Sequence, residues 1–229
     1  MIYHYDVHIH SVLSPCADCL MTPNNILNMA MLKGLNIISV TDHNSLKQLP
    51  VLFELSKSYD ILLIPGVEVT TKEGYHVLIY FKTLEDALKF DQLLDEHRPN
   101  EITHYGMASI TDIEDMVIDT FPFIASDPII LDYQTLTNAL KAFQHRTVLA
   151  HVDRPNTDIL DRLNDLVFNG IELTSRDELL ISNYGLSRYP ILYNSDAHDL
   201  LAISETLMQN TIELESLSID AFFRYFQNE

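Results

Sequence analysis

Residues 5–10 read YDVHIH and establish a pattern that the rest of the chain repeats. The first five of them are apolar or aromatic at alternate positions, which predicts a β-strand. Residues two apart on a strand point to the same face, so His8 and His10 lie side by side where this strand ends. A helix is predicted next, over Pro23 to Lys33, and a second strand over Asn36 to Val40. The chain therefore begins with a strand–helix–strand unit.

Strand and helix patterns continue to alternate along most of the chain. Further strands are predicted at Ile61 to Val69, Val77 to Phe81, Thr147 to His151, Gly170 to Leu173 and Ile191 to Asn194, with helices at Leu46 to Ser58, Asp158 to Asn169 and Ser218 to Phe226. The third and fourth strands are too close in sequence for a parallel crossover, so they form a hairpin that distorts any barrel. Repeated βα units with about seven strands favour an α/β barrel. We expect one domain over residues 1–229, with a mainly helical variable region at about 84–146.

The composition indicates a globular protein with an acidic surface. Fourteen Lys plus Arg stand against 33 Asp plus Glu, which gives a net charge of −19. Such a charge repels a phosphate backbone unless metal ions supply local positive charge, so no stable nucleic-acid complex is expected. Apolar runs fall far short of the roughly 20 residues that span a bilayer, and the N-terminus lacks a signal-peptide pattern. We therefore expect a cytoplasmic protein without a membrane partner.

Ionisable residues recur where the predicted strands end or begin. They are His8, His10, His43, Glu68, His76, His151, Asp196 and His198. The carboxyl ends of barrel strands converge on one face, so residues that are remote in sequence meet there. Six imidazoles with two carboxylates favour zinc, manganese or iron over magnesium or calcium. A single glutamate can bridge two ions through its two oxygens, and Glu68 is the central acid available for that role.

The remaining histidines and the two cysteines do not fit this pattern. His4, His97, His104 and His145 lie in a leading segment or in helical and loop contexts, and we interpret them as ordinary surface or core residues. Asp42 precedes His43 and either orients an imidazole or is a turn residue. Cys16 and Cys19 form a single C-x-x-C that follows a strand instead of opening a helix, which makes a redox role a weak hypothesis.

The donor residues sit within motifs that resemble those of the polymerase and histidinol phosphatase (PHP) family. The motifs are His8-Ile9-His10-Ser11, Thr41-Asp42-His43-Asn44, Pro65-Gly66-Val67-Glu68, His76, Ala150-His151 and Ser195-Asp196-Ala197-His198. The resemblance covers the chain from about residue 5 to 200. It implies a distorted (β/α)7 barrel with three divalent ions that hydrolyses phosphate esters.

The resemblance also implies how the ligands are shared. One ion would be held by His8, His10, Glu68 and Asp196, a second by Glu68, His76 and His151, and a third by His43, His198 and a residue of the loop after the first strand. That loop departs from the family pattern, since it reads SPCADC over residues 14–19. Asp18 is the candidate ligand there, and Cys16 or Cys19 and a vacant third site are alternatives. Two or three ions are therefore expected.

The predicted chemistry is attack on phosphorus by a metal-activated water, with a small phosphorylated molecule as the expected substrate. Arg154 and Arg176 are candidates to hold the phosphate, although either could form a surface ion pair. His198 or Asp196 could protonate the leaving oxygen, and Glu68 would bridge the ions. A C–N-cleaving amidohydrolase and a non-catalytic metal-binding module are alternatives. The first is disfavoured because no bridging lysine follows a middle strand, and the second because the ligands are intact.

Overall fold

The computed structural model describes residues 1–98, 107–122, 128–155, 158–206 and 210–227. Eleven strands are described: β1 Ile2–Ile9, β2 Ile37–Val40, β3 Leu62–Leu63, β4 Gly66–Thr70, β5 His76–Phe81, β6 Met107–Thr111, β7 Val117–Pro122, β8 His145–Leu149, β9 Gly170–Glu172, β10 Ile191–Leu192 and β11 Thr211–Glu213. The α-helices are α1 Pro23–Leu32, α2 Leu49–Ser56, α3 Leu84–Glu96, α4 Tyr133–Leu140, α5 Glu178–Asn183 and α6 Ile219–Tyr225, and short 3₁₀ helices cover Ile159–Asp165 and Leu186–Arg188. The protein is thus a mixed α/β fold, as predicted.

Two main sheets carry the core. The first has the order β11-β1-β2-β3, and the second has the order β10-β9-β8-β5-β4. Isolated β-bridges link the two sheets at two points, between Ile9 and Ala197 and between His43 and Glu68. Within the described ranges, no continuous ladder of hydrogen bonds closes the two sheets into a barrel. The structure therefore confirms the predicted α/β fold class but not the (β/α)7 barrel. In this described part, no helix is long and apolar enough to cross a bilayer.

The predicted third strand, Ile61 to Val69, is two strands in the structure. It is interrupted at Pro65, which has no backbone N–H to donate to a sheet. Gly66 opens β4 where the backbone passes close to β2, because a Cβ at this position would lie 2.4 Å from Ser39 Oγ. The predicted hairpin is present: β4 pairs with β5 in antiparallel register, Glu68 opposite Leu78. This hairpin turns His76 back toward Glu68.

The prediction of a mainly helical region at 84–146 is wrong in its middle part. α3 and α4 are present, but β6 and β7 form an antiparallel hairpin between them. Val117 and Ile118 are β-branched residues that favour a strand. Asp115, in the turn between the two strands, adopts a left-handed conformation with a φ of 60°. Gln48 ties the hairpin to the fold through two 3.0 Å hydrogen bonds with the backbone of Thr111.

Three other elements differ from the sequence predictions. The helix expected over Asp158 to Asn169 is a short 3₁₀ helix at Ile159–Asp165. β11 and α5 were not predicted, and β11 pairs antiparallel with β1 through only three residue pairs. Such short elements give little periodic signal, since their pairing partners lie far away in sequence.

Candidate metal centre

The strand ends bring the predicted donor residues together around Glu68. This side chain is fully buried on β4, and its carboxylate faces five imidazoles. Oε1 lies 2.8 Å from His76 Nδ1, 3.2 Å from His151 Nε2 and 3.5 Å from His8 Nε2, whereas Oε2 lies 2.7 Å from His43 Nδ1 and 3.5 Å from His10 Nε2. The two oxygens thus face different groups of nitrogen atoms, which suits a bridging ligand.

A compact set of four donors is formed by His8, His10, Glu68 and Asp196. Asp196 Oδ1 lies 3.2 Å from His8 Nε2 and 3.1 Å from His10 Nε2, and these two nitrogens are 3.2 Å apart. Four ligands placed tetrahedrally about 2.1 Å from one ion are about 3.4 Å apart. The observed spacings therefore fit one shared transition-metal ion.

Two further groups of donors have atoms within 4.8 Å of one another. One is His43, Glu68 and His76, and the other is His10, His43 and His198. His43 Nδ1 and Glu68 Oε2 are both buried and neither has a hydrogen bond of acceptable geometry, although they are 2.7 Å apart. Buried polar atoms rarely lack a hydrogen-bond partner. A cation between such atoms would satisfy both, so the donor chemistry fits divalent metal ions.

Neighbouring side chains fix the orientation of three imidazoles. His8 Nδ1 donates to the Glu172 carboxylate at 3.0 Å, and His198 Nδ1 donates to the backbone oxygen of Asp196 at 2.9 Å. His10 Nδ1 contacts Ser14 Oγ at 3.1 Å, and that hydroxyl donates to Asp42 at 2.7 Å. A donor hydrogen on Nδ1 leaves Nε2 with its lone pair, which is the form that binds a metal.

Glu172 and Asp6 are two functional residues that the sequence analysis did not identify. Glu172 is buried at the end of β9, where it also accepts hydrogen bonds from Asn194 at 2.7 Å and from the backbone N–H of His151 at 3.0 Å. Asp6 accepts from Ser195 Oγ at 2.6 Å and thereby holds the segment that carries Asp196. The position of Glu172 at a strand end was the available signal.

Asp42 is linked to His10 through a serine hydroxyl. Its carboxylate accepts from Ser11 Oγ at 2.6 Å and from Ser14 Oγ at 2.7 Å. Burial raises the pKa of Asp42, while the hydrogen bonds from Ser11 and Ser14 act in the opposite direction. Because Ser14 contacts His10, the interpretation of Asp42 as an orienting residue fits this geometry.

The electrostatics of the cluster favour cations. Burial lowers the pKa of His8, but the carboxylates of Glu172, Glu68 and Asp196 outweigh it and hold that pKa well above its usual value. Burial acts to raise the pKa of Glu68, but His8 and His43 hold it well below its usual range. The carboxylates thus favour the protonated forms of His8 and His43, and a divalent cation can replace those protons. Burial and the neighbouring His43 instead lower the pKa of His10 to about 3.

Backbone strain is concentrated at the same face. His151, Asp196 and Asn44, which follows His43, have φ values of 33°, 52° and 50°. Non-glycine residues rarely adopt this left-handed conformation, which costs of order 1–3 kcal/mol and persists where the surrounding structure imposes it. Asn44 N donates to Glu68 O at 2.8 Å, so the strained turn after β2 is held directly against β4.

The remaining candidates lie at the margin of the cluster or away from it. Arg154 Nη2 donates to Asp196 Oδ2 at 2.5 Å, and Arg176 stacks over the Tyr193 ring at 4.7 Å beside a cavity of about 580 Å³. The Asp18 carboxylate accepts from Leu20 N at 2.8 Å in a local turn.

The four other histidines were predicted to lie outside the centre. His97 Nδ1 contacts Leu93 O at 2.8 Å, and His145 Nδ1 contacts Phe143 O at 3.0 Å. His4 Nδ1 is buried without a hydrogen bond, at the far end of β1 from His10. His104 lies outside the described residues. Within the described part, the groups of donors that could hold a metal include none of these histidines.

Comparison with known proteins identifies the family. The PHP domain family matches residues 6–228, so the chain belongs to this family, and the prediction from its motifs is confirmed. It is 30% identical over 110 residues to a 5′-3′ exoribonuclease of Haemophilus influenzae, which covers 44% of this chain and 39% of that protein. The chain spans less than half the length of the curated relatives it matches.

Solved structures share the fold at low sequence identity. The lesion-specific endonuclease Q of Pyrococcus furiosus has a TM-score of 0.73 at 20% identity, covering 98% of this chain and 55% of that chain. Endonuclease Q in complex with a 27-mer duplex, with an abasic lesion at the active site, has a TM-score of 0.71 at 20% identity. The match covers 99% of this chain and 56% of that chain. An amidohydrolase of Chromobacterium violaceum has a TM-score of 0.63 at 16% identity. The match covers 97% of this chain and 96% of that chain.

The comparison with endonuclease Q overturns the predicted partners, a small phosphorylated substrate and no stable nucleic-acid complex. A protein of this fold binds a 27-mer DNA duplex at its active site. The net charge of −19 is a sum over the whole chain, whereas a bound phosphate meets only the face where the imidazoles and any cations lie. Net charge alone therefore does not exclude a nucleic-acid substrate.

Proposed function

We propose that this chain is a metal-dependent hydrolase that cleaves phosphodiester bonds in a nucleic-acid substrate. The observation that carries the proposal is the set of imidazoles and carboxylates that converges on the buried Glu68 carboxylate. Membership of the PHP domain family and the likeness to endonuclease Q support it. The exoribonuclease relative supports the same substrate class.

The donor set accommodates two or three ions, and its nitrogen-rich character favours zinc, manganese or iron. His8, His10, Glu68 and Asp196 would hold the first ion, and Glu68, His76 and His151 the second. His43 and His198 would contribute to the third. The two isolated bridges between the sheets support a distorted (β/α)7 barrel, with this cluster at the carboxyl ends of its strands.

Bound divalent cations would neutralise the charge that develops on phosphoryl oxygens and make a water molecule acidic enough to attack. The chain's own residues would position the substrate. Arg154 lies against Asp196 at the margin of the cluster and is exposed enough to exchange that ion pair for a phosphate oxygen. Arg176 lines the cavity beside Ser195 and would contact the part of the substrate that neighbours the phosphate held by Arg154. The proton-donor role predicted for His198 competes with its role as a ligand, because Nδ1 donates to the backbone oxygen of Asp196 and only Nε2 is left to bind an ion. We therefore propose His198 as a ligand.

The likeness to an amidohydrolase makes C–N bond hydrolysis the competing activity. Amidohydrolases of this kind commonly bridge two ions with a modified lysine. In the described part of this chain, the charged partners of Glu68 are all imidazoles. Glu68 would thus take the bridging position itself, which favours phosphate ester chemistry.

The test is cleavage of end-labelled oligonucleotides by protein whose metal content has been determined. The panel contains single-stranded DNA, single-stranded RNA, a duplex and a duplex with one abasic site, and each is incubated with metal-free protein and with protein reloaded with zinc, manganese or iron. We expect metal-dependent cleavage that Glu68→Gln abolishes. Hydrolysis of N-acyl substrates or of phosphomonoesters, with every oligonucleotide left intact, would contradict the proposal.

A further inference from the structure

The loop that departs from the family pattern is tied to two of the proposed ligand segments. Ser14 Oγ accepts a hydrogen bond from the backbone N–H of His43 at 3.2 Å, and it donates to Asp42 at 2.7 Å. Four residues later, the backbone N–H of Asp18 donates to the backbone oxygen of His198 at 2.8 Å. The residues between these two anchors are therefore held between His43 and His198.

Cys16 lies midway between the anchors with its side chain exposed, and the neighbouring His198 and His43 act to lower the pKa of its thiol. The donor nitrogens of His43 and His198 belong to one group whose atoms lie within 4.8 Å of one another. His43 Nδ1 is also one of the buried atoms that lack an acceptable hydrogen bond. Of the residues between the anchors, Pro15, Cys16 and Ala17, only Cys16 has a side chain that can bind a cation, and the anchors hold it beside this pair of nitrogens.

The other two candidate ligands of the loop are directed elsewhere. The Asp18 carboxylate is exposed and closes a local turn onto Leu20 N at 2.8 Å. Cys19 is exposed and lines a second cavity together with Ser109 and Thr111 of β6. Of the three candidate ligands of this loop, Cys16 is the one that lies between the two anchors.

We propose that Cys16 is the loop ligand of the third cation site, binding as a thiolate together with His43 and His198. The inference rests on the cation sites of the proposed function and identifies a ligand at one of them. Thiolate and imidazole together favour zinc or iron over manganese. Three protein ligands leave one tetrahedral position open, which is the arrangement of catalytic zinc sites and not of structural ones. The third cation would then face substrate.

The test uses Co²⁺ as the probe, because a thiolate bound to Co²⁺ gives a near-ultraviolet charge-transfer band and imidazole or carboxylate ligands do not. Metal-free full-length protein is titrated with Co²⁺, and the band and the bound metal per chain are recorded for wild type, Cys16→Ser, Cys19→Ser and Asp18→Asn. Cys19→Ser is the matched control, since it removes the other thiol of the same loop, and both thiols are exposed.

We expect the band in wild type, Cys19→Ser and Asp18→Asn, and its complete loss with one fewer ion per chain in Cys16→Ser. Cys16→Asp should restore the ion without the band, which separates a lost ligand from a misfolded loop. A band that persists in Cys16→Ser, or a third ion that is lost in Asp18→Asn but kept in Cys16→Ser, would overturn the assignment. These measurements need no substrate. Metal binding through Cys16 without oligonucleotide cleavage would therefore refute the proposed function and leave this inference standing.

Discussion

The strand-end face and the β6–β7 hairpin differ in how their side chains are used. At the strand-end face, Glu68, His8 and His10 are fully buried, although they are polar and ionisable. On the hairpin, Met116 is 64% exposed and Ile118 is 62% exposed, although both are apolar. Burial of charge is costly unless it is paired, so the first arrangement persists because the groups neutralise one another and can bind cations. The difference supports placing the proposed chemistry at the strand ends and predicts that the hairpin takes no direct part in it.

The largest effect that would test this comparison is expected for Glu68→Gln. The amide keeps the shape of the side chain but removes the charge that faces five imidazoles. We expect loss of bound metal and a fall of about 1,000-fold or more in phosphodiester hydrolysis, because several kcal/mol of charge stabilisation are removed. Metal analysis and single-turnover kinetics measure both quantities. Full metal content with unchanged kinetics would refute the central position of Glu68.

An intermediate effect is expected for Glu172→Gln, which leaves every proposed ligand in place. Glu172 orients His8 through Nδ1 and holds the backbone N–H of His151. Removing such a supporting residue typically costs about 10- to 100-fold in metal affinity. Metal-competition titration measures the loss, with the exposed Glu178→Gln as the matched control. Equal affinities of the two variants would contradict the positioning role.

A smaller effect is expected for Arg176→Ala, at the margin of the face. Arg176 stacks over Tyr193 at 4.7 Å, and Arg188 stacks in the same manner over Tyr189 at 4.8 Å. Arg188 therefore provides a control with the same local contact. We expect Arg176→Ala to raise KM about 10-fold, the value of one charge-assisted contact of about 1.4 kcal/mol, with little change in metal content. A similar KM change in Arg188→Ala would show that the loss of stacking, and not of a substrate contact, is responsible.

The smallest effect is expected for Ile118→Thr on the hairpin. The exposed side chain is replaced by another β-branched residue, so strand propensity is preserved. We expect the free energy of unfolding to change by no more than about 0.5 kcal/mol, with metal content and ester hydrolysis unchanged. Thermal unfolding and the oligonucleotide assay check this. A large loss of oligonucleotide cleavage at constant metal content would instead place the hairpin in the substrate path.

The convergence of the predicted donor residues around Glu68 could be anticipated from the sequence, because their signal is local and repeated. His8 and His10 are two apart at the end of β1, where alternate side chains share a face. Asp196 and His198 have the same spacing but lie in the loop after β10, where Asp196 has a left-handed φ of 52°. Parallel strands then bring their ends to one face, which requires no knowledge of side-chain packing. The supporting contacts were not predictable in this way. Glu172, Asp6 and the serines that link Asp42 to His10 act across long separations in sequence, such as 164 residues between His8 and Glu172.

The fold was predicted less completely for a related physical reason. The third strand is broken at Pro65, which has no backbone N–H to donate to a sheet. The close approach of the next residue, Gly66, to β2 is a tertiary contact that the sequence pattern does not show. The β6–β7 hairpin depends on hydrogen bonds from Gln48 and on contacts of Asp115 with Thr22 and Asn24. Such contacts override the local helical preference of the interval between α3 and α4.

The most direct test of the central claim is a titration of metal-free protein with zinc or manganese in which bound metal and oligonucleotide cleavage are measured in the same samples. The account predicts that cleavage appears only as the sites fill and that Glu68→Gln neither fills them nor cleaves. Cleavage by metal-free protein, or equal cleavage by Glu68→Gln, would contradict it.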